Sequence, residues 1–384
     1  MDRLSLFKVH MNEKVTEKLS DVLHSGFITQ GPKVEEFEQQ LRDLFDYPYI
    51  LTLNSATSGL TLACRMAKDN FVDDVIEVLC TPLTCMATNI PVVSCGMKIK
   101  WVDVDPSTGL MSLDDLQRKL NERTKIVCFV HWGGYPMDLD HLDKILDDHQ
   151  VKYGFRPYVI EDCAHAFLSE YKGKKIGTHG NFAVFSLQAI KHLTTGDGGL
   201  LFCPDSTFYE KAKLLRWYGI DRDKRNFKRT DFRLESDVTE WGYKFHMNDI
   251  NATIGLSNLP DIPRLIAINR RNARYYGEAL SSFEGIGLMS DVNNVMLSSY
   301  WLYSITVPHK QEFIEFMDRH GVMVSQVHQR NDVHTCFKEF KTKLPNLDEL
   351  EKKMVCIPCG WWLTVDDLSR VVRLIGEFLE QHNV

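Results

Sequence analysis

Lys191 and Asp162 are the residues whose surroundings suggest chemistry. Lys191 stands in the turn Gln188-Ala189-Ile190-Lys191-His192-Leu193-Thr194-Thr195-Gly196, between two short, apolar, β-prone runs, Phe182 to Leu187 and Gly198 to Cys203. Alone, a lysine in a Gly/Thr-rich turn is a solvated side chain. A second element changes that reading, because Tyr158-Val159-Ile160-Glu161-Asp162 is an apolar strand ending in an acid. An amine and a carboxylate delivered by two strand ends suit a pyridoxal phosphate site. There the lysine forms a Schiff base and the acid keeps the pyridine nitrogen protonated.

A third stretch offers a place for an anion. Tyr49 to Leu53 reads as a short strand, after which Asn54-Ser55-Ala56-Thr57-Ser58-Gly59 opens a helix to about Lys68. Free backbone N–H groups and the positive helix end favour a phosphate there, and Thr57 adds a hydroxyl. The same small residues also serve ordinary capping.

Glu161-Asp162-x-Ala164-His165-Ala166, then Phe185-Ser186, Lys191 and Thr195-Gly196-Asp197-Gly198-Gly199, resembles the DegT/DnrJ/EryC1/StrS family of sugar aminotransferases. Further matches cover nearly the whole chain. The resemblance implies a fold-type I pyridoxal phosphate enzyme that passes the amino group of glutamate to a nucleotide-linked keto sugar, most often 4-keto-6-deoxy, for a glycan. It implies Lys191 as the cofactor-holding, proton-shuttling amine and Asp162 on the pyridine nitrogen. It also implies Ala56, Thr57 and Ser186 on the phosphate, Ala164 on one ring face and His165 on the ring hydroxyl. Where the family stacks an aromatic residue on the other ring face, the matching segment Thr81–Thr88 carries Cys85.

Gly242-Tyr243-Lys244-Phe245-His246-Met247 matches a family segment, Gly-Tyr-Asn-Tyr-Arg-Met, whose asparagine crosses a dimer interface to the cofactor phosphate. Lys244 stands in that place, so the resemblance implies a homodimer with shared sites and a lysine point charge on the phosphate. A surface lysine is the bland alternative. For the substrate the resemblance points to Ile28 and Lys33 in the Gly26–Lys33 loop, to Tyr218 where the family usually has histidine, and to His328, Arg330 and His334 after a strand. Plain surface loops would look the same. His131-Trp132-Gly133-Gly134 matches the family's His-x-x-Gly segment. Three alternatives stay open: amination of a 3-keto sugar, a non-catalytic regulatory dimer, and the family's pyridoxamine phosphate-dependent sugar dehydratases. The last have histidine in place of the lysine, so Lys191 argues against them even with His192 beside it.

These residues need a frame, and the pattern supplies one. Val75–Leu79, Ile99–Val104, Ile126–His131 and Tyr158–Asp162 alternate with helices from about Thr84, around Leu113–Leu120 and near Leu139–His149. Such alternation predicts an α/β fold with a mostly parallel sheet sandwiched by helices, and the resemblance implies the seven-stranded type. Helical spacing runs from Leu4 to Ser25 and again to Leu44, and Asn248 or a neighbour caps another helix. Ser112-x-x-Asp115 reads as a capping box, and Asp103-Val104-Asp105-Pro106 as a strand-ending turn rather than a metal site. Pro260 and Pro263 mark a hinge, dividing a large domain, 1–259, from a small α+β C-terminal domain, 260–384. The second begins with a helix to about Leu280 and continues with strands at Tyr300–Val307 and Val322–Val327 and helices at Gln311–His320 and Val365–Gln381.

With 384 residues, 44% of them apolar, the chain can bury a large core. A net charge of −7 argues against a nucleic-acid or bilayer surface, and so the basic, aromatic run Arg216–Arg229 reads as a solvated loop. No run approaches the ~18 apolar residues of a membrane helix and no leader is visible, so a soluble cytoplasmic protein is expected. Ten scattered cysteines read as reduced core thiols, with Cys356-x-x-Cys359 read as structural.

Overall fold

A computed structural model describes residues 3–73, 75–224, 237–289 and 295–382. In chain order it runs α1 (Val15–His24), α2 (Pro32–Phe45), β1 (Ile50–Leu53), α3 (Ala56–Lys68), β2 (Glu77–Cys80), α4 (Met86–Ser94), β3 (Lys98–Trp101), α5 (Leu113–Lys119), β4 (Thr124–Val130), α6 (Leu139–Tyr153) and β5 (Tyr158–Asp162). It continues with β6 (Glu170–Tyr171), β7 (Lys174–Lys175), β8 (Phe182–Ser186), β9 (Gly199–Phe202), α7 (Ser206–Leu215), α8 (Asp249–Asn258) and α9 (Ile262–Leu280). The last part holds β10 (Gly287–Leu288), β11 (Met296–Leu297), β12 (Tyr303–Thr306), α10 (Lys310–Arg319), α11 (Pro345–Glu351), β13 (Met354–Ile357) and α12 (Val365–Gln381).

Among the described residues the main sheet has seven strands, in the order β1-β9-β8-β5-β4-β2-β3. All are parallel except β9, which runs against both β1 and β8. This is the mostly parallel sheet that the alternation predicts. Strands such as β4 are buried from end to end because helices cover both faces. The parallel arrangement also collects the ends of β1, β2, β4, β5 and β8 on one edge, where ligands of open α/β sheets sit.

A second hydrophobic cluster packs α9, α10 and α12 on β12 and β13, joined by Leu4 from the far N-terminus. The larger cluster around the main sheet itself takes in Ile262, Leu265 and Ile266 from α9 and Leu347 and Leu350 from α11. Among the described residues no helix is long and apolar enough to cross a membrane. All ten cysteines are free, and Cys356 and Cys359 are buried.

Several expectations are corrected. The helical spacing seen from Leu4 becomes helix only at Val15, because Leu4 is taken by backbone pairing: its N–H donates to Gly321 and its carbonyl accepts from Met323. The strand expected at Val322–Val327 is reduced to single bridges, Leu4 with Val322 and Ser325 with Cys356, and it is broken where Val327 adopts φ 71°. Left-handed backbone at a β-branched residue is a local outlier. Ser112 caps α5 through the Asp115 N–H, but the Asp115 carboxylate accepts from the Asp103 N–H, so the box is half made. Asp103 in turn accepts the Asn346 and Leu347 N–H groups at the start of α11. Its carboxylate thus serves the start of that helix.

Candidate functional site

Successive side chains of a strand point to opposite faces, so Glu161 and Asp162 at the end of β5 enter different surroundings. Asp162 accepts from the Thr88 hydroxyl at 2.6 Å and from the Ala164 N–H at 3.0 Å. Burial pushes its carboxyl up, and those two bonds with the nearby Lys191 amine offset the rise only in part. Thr88 lies in α4, whose cap is Cys85, half-buried at the same sheet edge.

The Lys191 Nζ sits 3.3 Å from the centre of the Trp301 ring. Burial, opposed by Asp162 and Cys85, pushes this amine down to about 7, so much of it is neutral at neutral pH. Trp301 stacks on His165 at 3.9 Å with 24° between the planes. The Gly133 N–H donates to His165 Nδ1 at 3.3 Å, which leaves the ring proton on Nε2. Burial first, then Lys191, His328 and His192, holds His165 well below its ordinary range. Glycine is required at 134, where φ is 96° and a Cβ would lie 2.6 Å from the His165 carbonyl oxygen. His328 lies parallel to His165 at 5.8 Å, its Nε2 buried without a partner among the described residues, and burial with Lys191 pushes it down to about 4. His192 donates from Nε2 to Ser299 at 3.1 Å, and its buried Nδ1 has no partner among the described residues.

At the other side of the Lys191 turn, Ser186 of β8 pairs with Gly199 of β9, and Gly199 pairs with Leu53 of β1. A Cβ on Gly199 would lie 2.5 Å from the Ala56 nitrogen, so this glycine lets the start of α3 approach the sheet. Ser55 caps α3 through the Ser58 N–H at 3.1 Å, while the Ala56 and Thr57 amides belong to the first turn and have no acceptor within the helix. The Ser186 hydroxyl accepts the Gln188 N–H at 3.3 Å. Lys244 is exposed, in a segment that pairs with Asn54 just before α3: the Asn54 N–H donates to Phe245 at 2.7 Å and its side chain to the Lys244 carbonyl at 3.2 Å.

The substrate candidates are dispersed. His328 alone of the six stacks into the Lys191 cluster. Ile28 is exposed, and Lys33 pairs with Glu36 at 2.8 Å. Tyr218 is exposed with φ 59°, and His334 caps a short 3-10 turn. Arg330 is buried and committed to carboxylates, to Asp332 at 2.7 and 2.8 Å and to Asp348 at 2.5 Å, with Glu351 at 3.4 Å. Its neighbour Asn331 donates to the Pro82 and Cys85 carbonyls, which docks this loop on the Cys85 segment. Of the basic run, residues 225–229 lie outside the described residues.

Three contributions escape sequence reasoning. Trp301 arrives from far along the chain with no local signal. Thr88 is a hydroxyl one helical turn beyond Cys85, a spacing that signals nothing until Asp162 is placed beside it. The start of α8 holds two loops at once: Asp249 accepts N–H groups from Gly31 at 2.8 Å and Val34 at 3.2 Å, while the Asn251 amide donates to Thr195 at 2.7 Å and Asp197 at 3.1 Å.

His131, Glu161 and Cys163 also lie together, with ligand atoms within 4.8 Å of one another. Those atoms are already used. His131 accepts the Met137 N–H at Nδ1 and donates from Nε2 to Glu161 at 2.8 Å, and Glu161 accepts from Asn181 at 2.8 Å. Burial raises the Glu161 carboxyl, but the His131 and Asn181 bonds outweigh it and hold it below the ordinary range. This is a closed network rather than a metal centre.

The open edge fits pyridoxal phosphate, handle by handle. An amine about half neutral at neutral pH suits its aldehyde, a buried carboxylate suits its pyridine nitrogen, a helix start suits its phosphate, and a histidine Nε2–H suits its ring oxygen. The likeness to known proteins runs over nearly the whole chain. AtS13 from Actinomadura melliaura is 43% identical, with a TM-score of 0.93 over 98% of this chain and 99% of that one. The sugar aminotransferase CalS13 from Micromonospora echinospora is 40% identical, with a TM-score of 0.92 over 97% of this chain and 99% of that one. The spore coat polysaccharide biosynthesis protein SpsC of Bacillus subtilis is 28% identical over 377 residues, 95% of this chain and 94% of that protein. With residues 9–376 matching its family model, the chain belongs to the DegT/DnrJ/EryC1/StrS aminotransferase family, the sugar aminotransferases that work with pyridoxal phosphate.

Proposed function

We propose that the chain moves the amino group of glutamate onto the carbonyl carbon of a nucleotide-linked keto sugar, a 4-keto-6-deoxy sugar in the first instance, for a glycan. The observation that carries the chemistry is the Lys191 amine, pushed down to about 7 beside a buried Asp162 on one sheet edge. The sugar is supported by likeness to CalS13, a sugar aminotransferase, and to SpsC, a polysaccharide biosynthesis protein.

When bound, pyridoxal phosphate supplies an electron sink for the charge left as the donor's α-proton departs. Lys191 accepts that proton at Nζ and returns it on the other side of the exchange, which an amine poised near neutrality does in both directions. Asp162 holds a proton at the pyridine nitrogen, oriented by Thr88 and the Ala164 N–H. The Ala56 and Thr57 amides, the Thr57 hydroxyl and Ser186 hold the phosphate, and Ala164 and Cys85 bracket the ring. His165 donates from Nε2 to the ring oxygen. Lys244 serves the phosphate of a second copy of the chain in a homodimer. His328 meets the sugar directly, with Ile28, Lys33, Tyr218 and His334 further out, and Arg330 acts by bracing its loop on Pro82 and Cys85. We divide the chain at 259/260 and place it in the cytoplasm, in keeping with ten free thiols.

The test is 2-oxoglutarate release from glutamate by the holoenzyme with UDP-, dTDP-, GDP- and CDP-linked 3-keto and 4-keto sugars. Turnover with a 4-keto member supports the reading, and turnover confined to a 3-keto member moves the carbon. Silence across the panel, with cofactor bound at Lys191, overturns the keto-sugar assignment.

A further inference from the structure

Nothing in the chemistry above uses Trp301, yet its ring lies directly against the Lys191 amine. The Lys191 Nζ lies 3.3 Å from the ring centre, well inside the range at which an ammonium is held by an aromatic face. The indole is fixed from several sides. Its Nε1–H donates to the Ile190 carbonyl at 2.8 Å, which ties the ring to the turn that carries the lysine. Phe7 stacks on it at 4.9 Å and His165 at 3.9 Å, and only 7% of the residue is exposed. The backbone is pinned as well: Tyr300 adopts φ 50°, its carbonyl accepts from Asn269 at 3.2 Å, and the Leu302 N–H donates to Gly133 at 3.3 Å. A strained, over-determined backbone beside a reactive group marks a place where position matters.

We propose that Trp301 is the positioning residue for Lys191, its indole face receiving the amine whenever the lysine is not bonded to the cofactor. The inference rests on Lys191 being the lysine of the aminotransferase site. A free lysine side chain has several rotatable bonds and loses its aim when released, whereas proton transfer needs a held geometry. An aromatic face suits this task because it attracts the ammonium without offering a basic atom that would compete for the proton. The neutral and charged forms of the amine therefore occupy one place. The charged or titratable groups facing the amine are Asp162, Cys85, His165, His192 and His328, with Lys8 lining the same cavity as Trp301 and Lys191.

The experiment uses the full chain loaded with pyridoxamine phosphate, in which Lys191 is not bonded to the cofactor. Competitive acetylation of Lys191 by acetic anhydride is followed across pH by peptide mass spectrometry, for the wild-type chain and for Trp301→Phe, Trp301→Leu and Trp301→Ala. Trp301→Phe keeps a ring face and should keep the wild-type midpoint. Trp301→Leu keeps the apolar cover but removes the attraction, so the midpoint should fall by about one pH unit. Trp301→Ala admits water, so the midpoint should rise by about one unit. In the glutamate half-reaction Trp301→Leu should lose roughly tenfold in rate with KM within about twofold, a split that a merely structural role would not produce. Identical midpoints and rates in Trp301→Leu and the wild type overturn the proposal, and so does a Trp301→Phe variant that behaves like Trp301→Leu. Silence of the enzyme toward keto sugars would overturn the function above and leave this measurement standing, since no sugar takes part in it.

Discussion

Glu161 and Asp162 are neighbours on one strand, both buried carboxylates, and the fold treats them in opposite ways. On one face, Glu161 and His131 are 0% exposed and have all their polar atoms paired. Hydrogen bonds hold the Glu161 carboxyl low against burial. On the other face, burial wins at Asp162, at Lys191 and at His328, and buried nitrogens of His192 and His328 have no partner among the described residues. A satisfied network stabilises the fold and leaves nothing to offer. An unsatisfied one costs stability and holds groups ready for a ligand that completes it.

The largest expected effect breaks the open face. Lys191→Ala should reduce 2-oxoglutarate release by roughly 10³-fold or more, and borohydride should no longer fix cofactor to the chain. Next comes the closed face. Glu161→Gln forces an amide N–H against the donors of His131 or Asn181, and should cost about 3 kcal/mol in urea unfolding while kcat stays within about threefold. A large loss of kcat in a folded Glu161→Gln chain would end the distinction between the faces. The pH dependence follows from the same directions. Because the folded carboxyl of Glu161 is held low, its stabilisation is present above its unfolded pKa and is lost as pH falls through the folded one. Glu161→Gln should therefore flatten the acid limb of the stability curve.

Asp162 has the reverse sign. Its folded carboxyl is raised, so its cost appears as pH rises above the unfolded value and persists at neutrality. Asp162→Asn, whose amide can still donate to Thr88 and accept from Ala164, should lower kcat by about 10²-fold. The cofactor-free chain should be as stable as the wild type or up to about 1 kcal/mol more stable. Activity and stability moving together in this variant would count against the comparison. The smallest effect is at the helix start, where Thr57→Val removes one hydroxyl and should weaken pyridoxal phosphate binding about tenfold by absorbance titration.

Much of the frame was legible because local chemistry and packing agree in it. The strand Tyr158–Asp162, the α3 start under Ser55, the Asn248 cap and the final helix follow from apolar period and capping residues. The failures lie where a distant partner decides. Leu4 reads as helical until Val322 claims its backbone, and Met354–Ile357, a short buried run, becomes a strand only beside β12. At the site, Asp162 announces itself at a strand end and Lys191 in the turn between β8 and β9, whereas Trp301 acquires meaning only when the chain folds back onto Ile190. Arg330 shows the converse: an arginine after a presumed strand looks available for substrate until its acids are seen.

The grip of α8 on two loops has a consequence for synthesis. The Lys191 turn is made halfway along the chain, but the Asn251 amide that holds the Thr195 and Asp197 carbonyls emerges later, as does the Asp249 carboxylate that holds Gly31 and Val34. The N-terminal residues wait longer still, with Asn12 bonded to Asn258 and Leu4 to Gly321. A nascent chain therefore carries Lys191 on a turn closed only by its own local hydrogen bonds for some sixty residues, on the order of several seconds of translation. Leu4 and Asn12, made before the Lys191 turn, find their partners only after it.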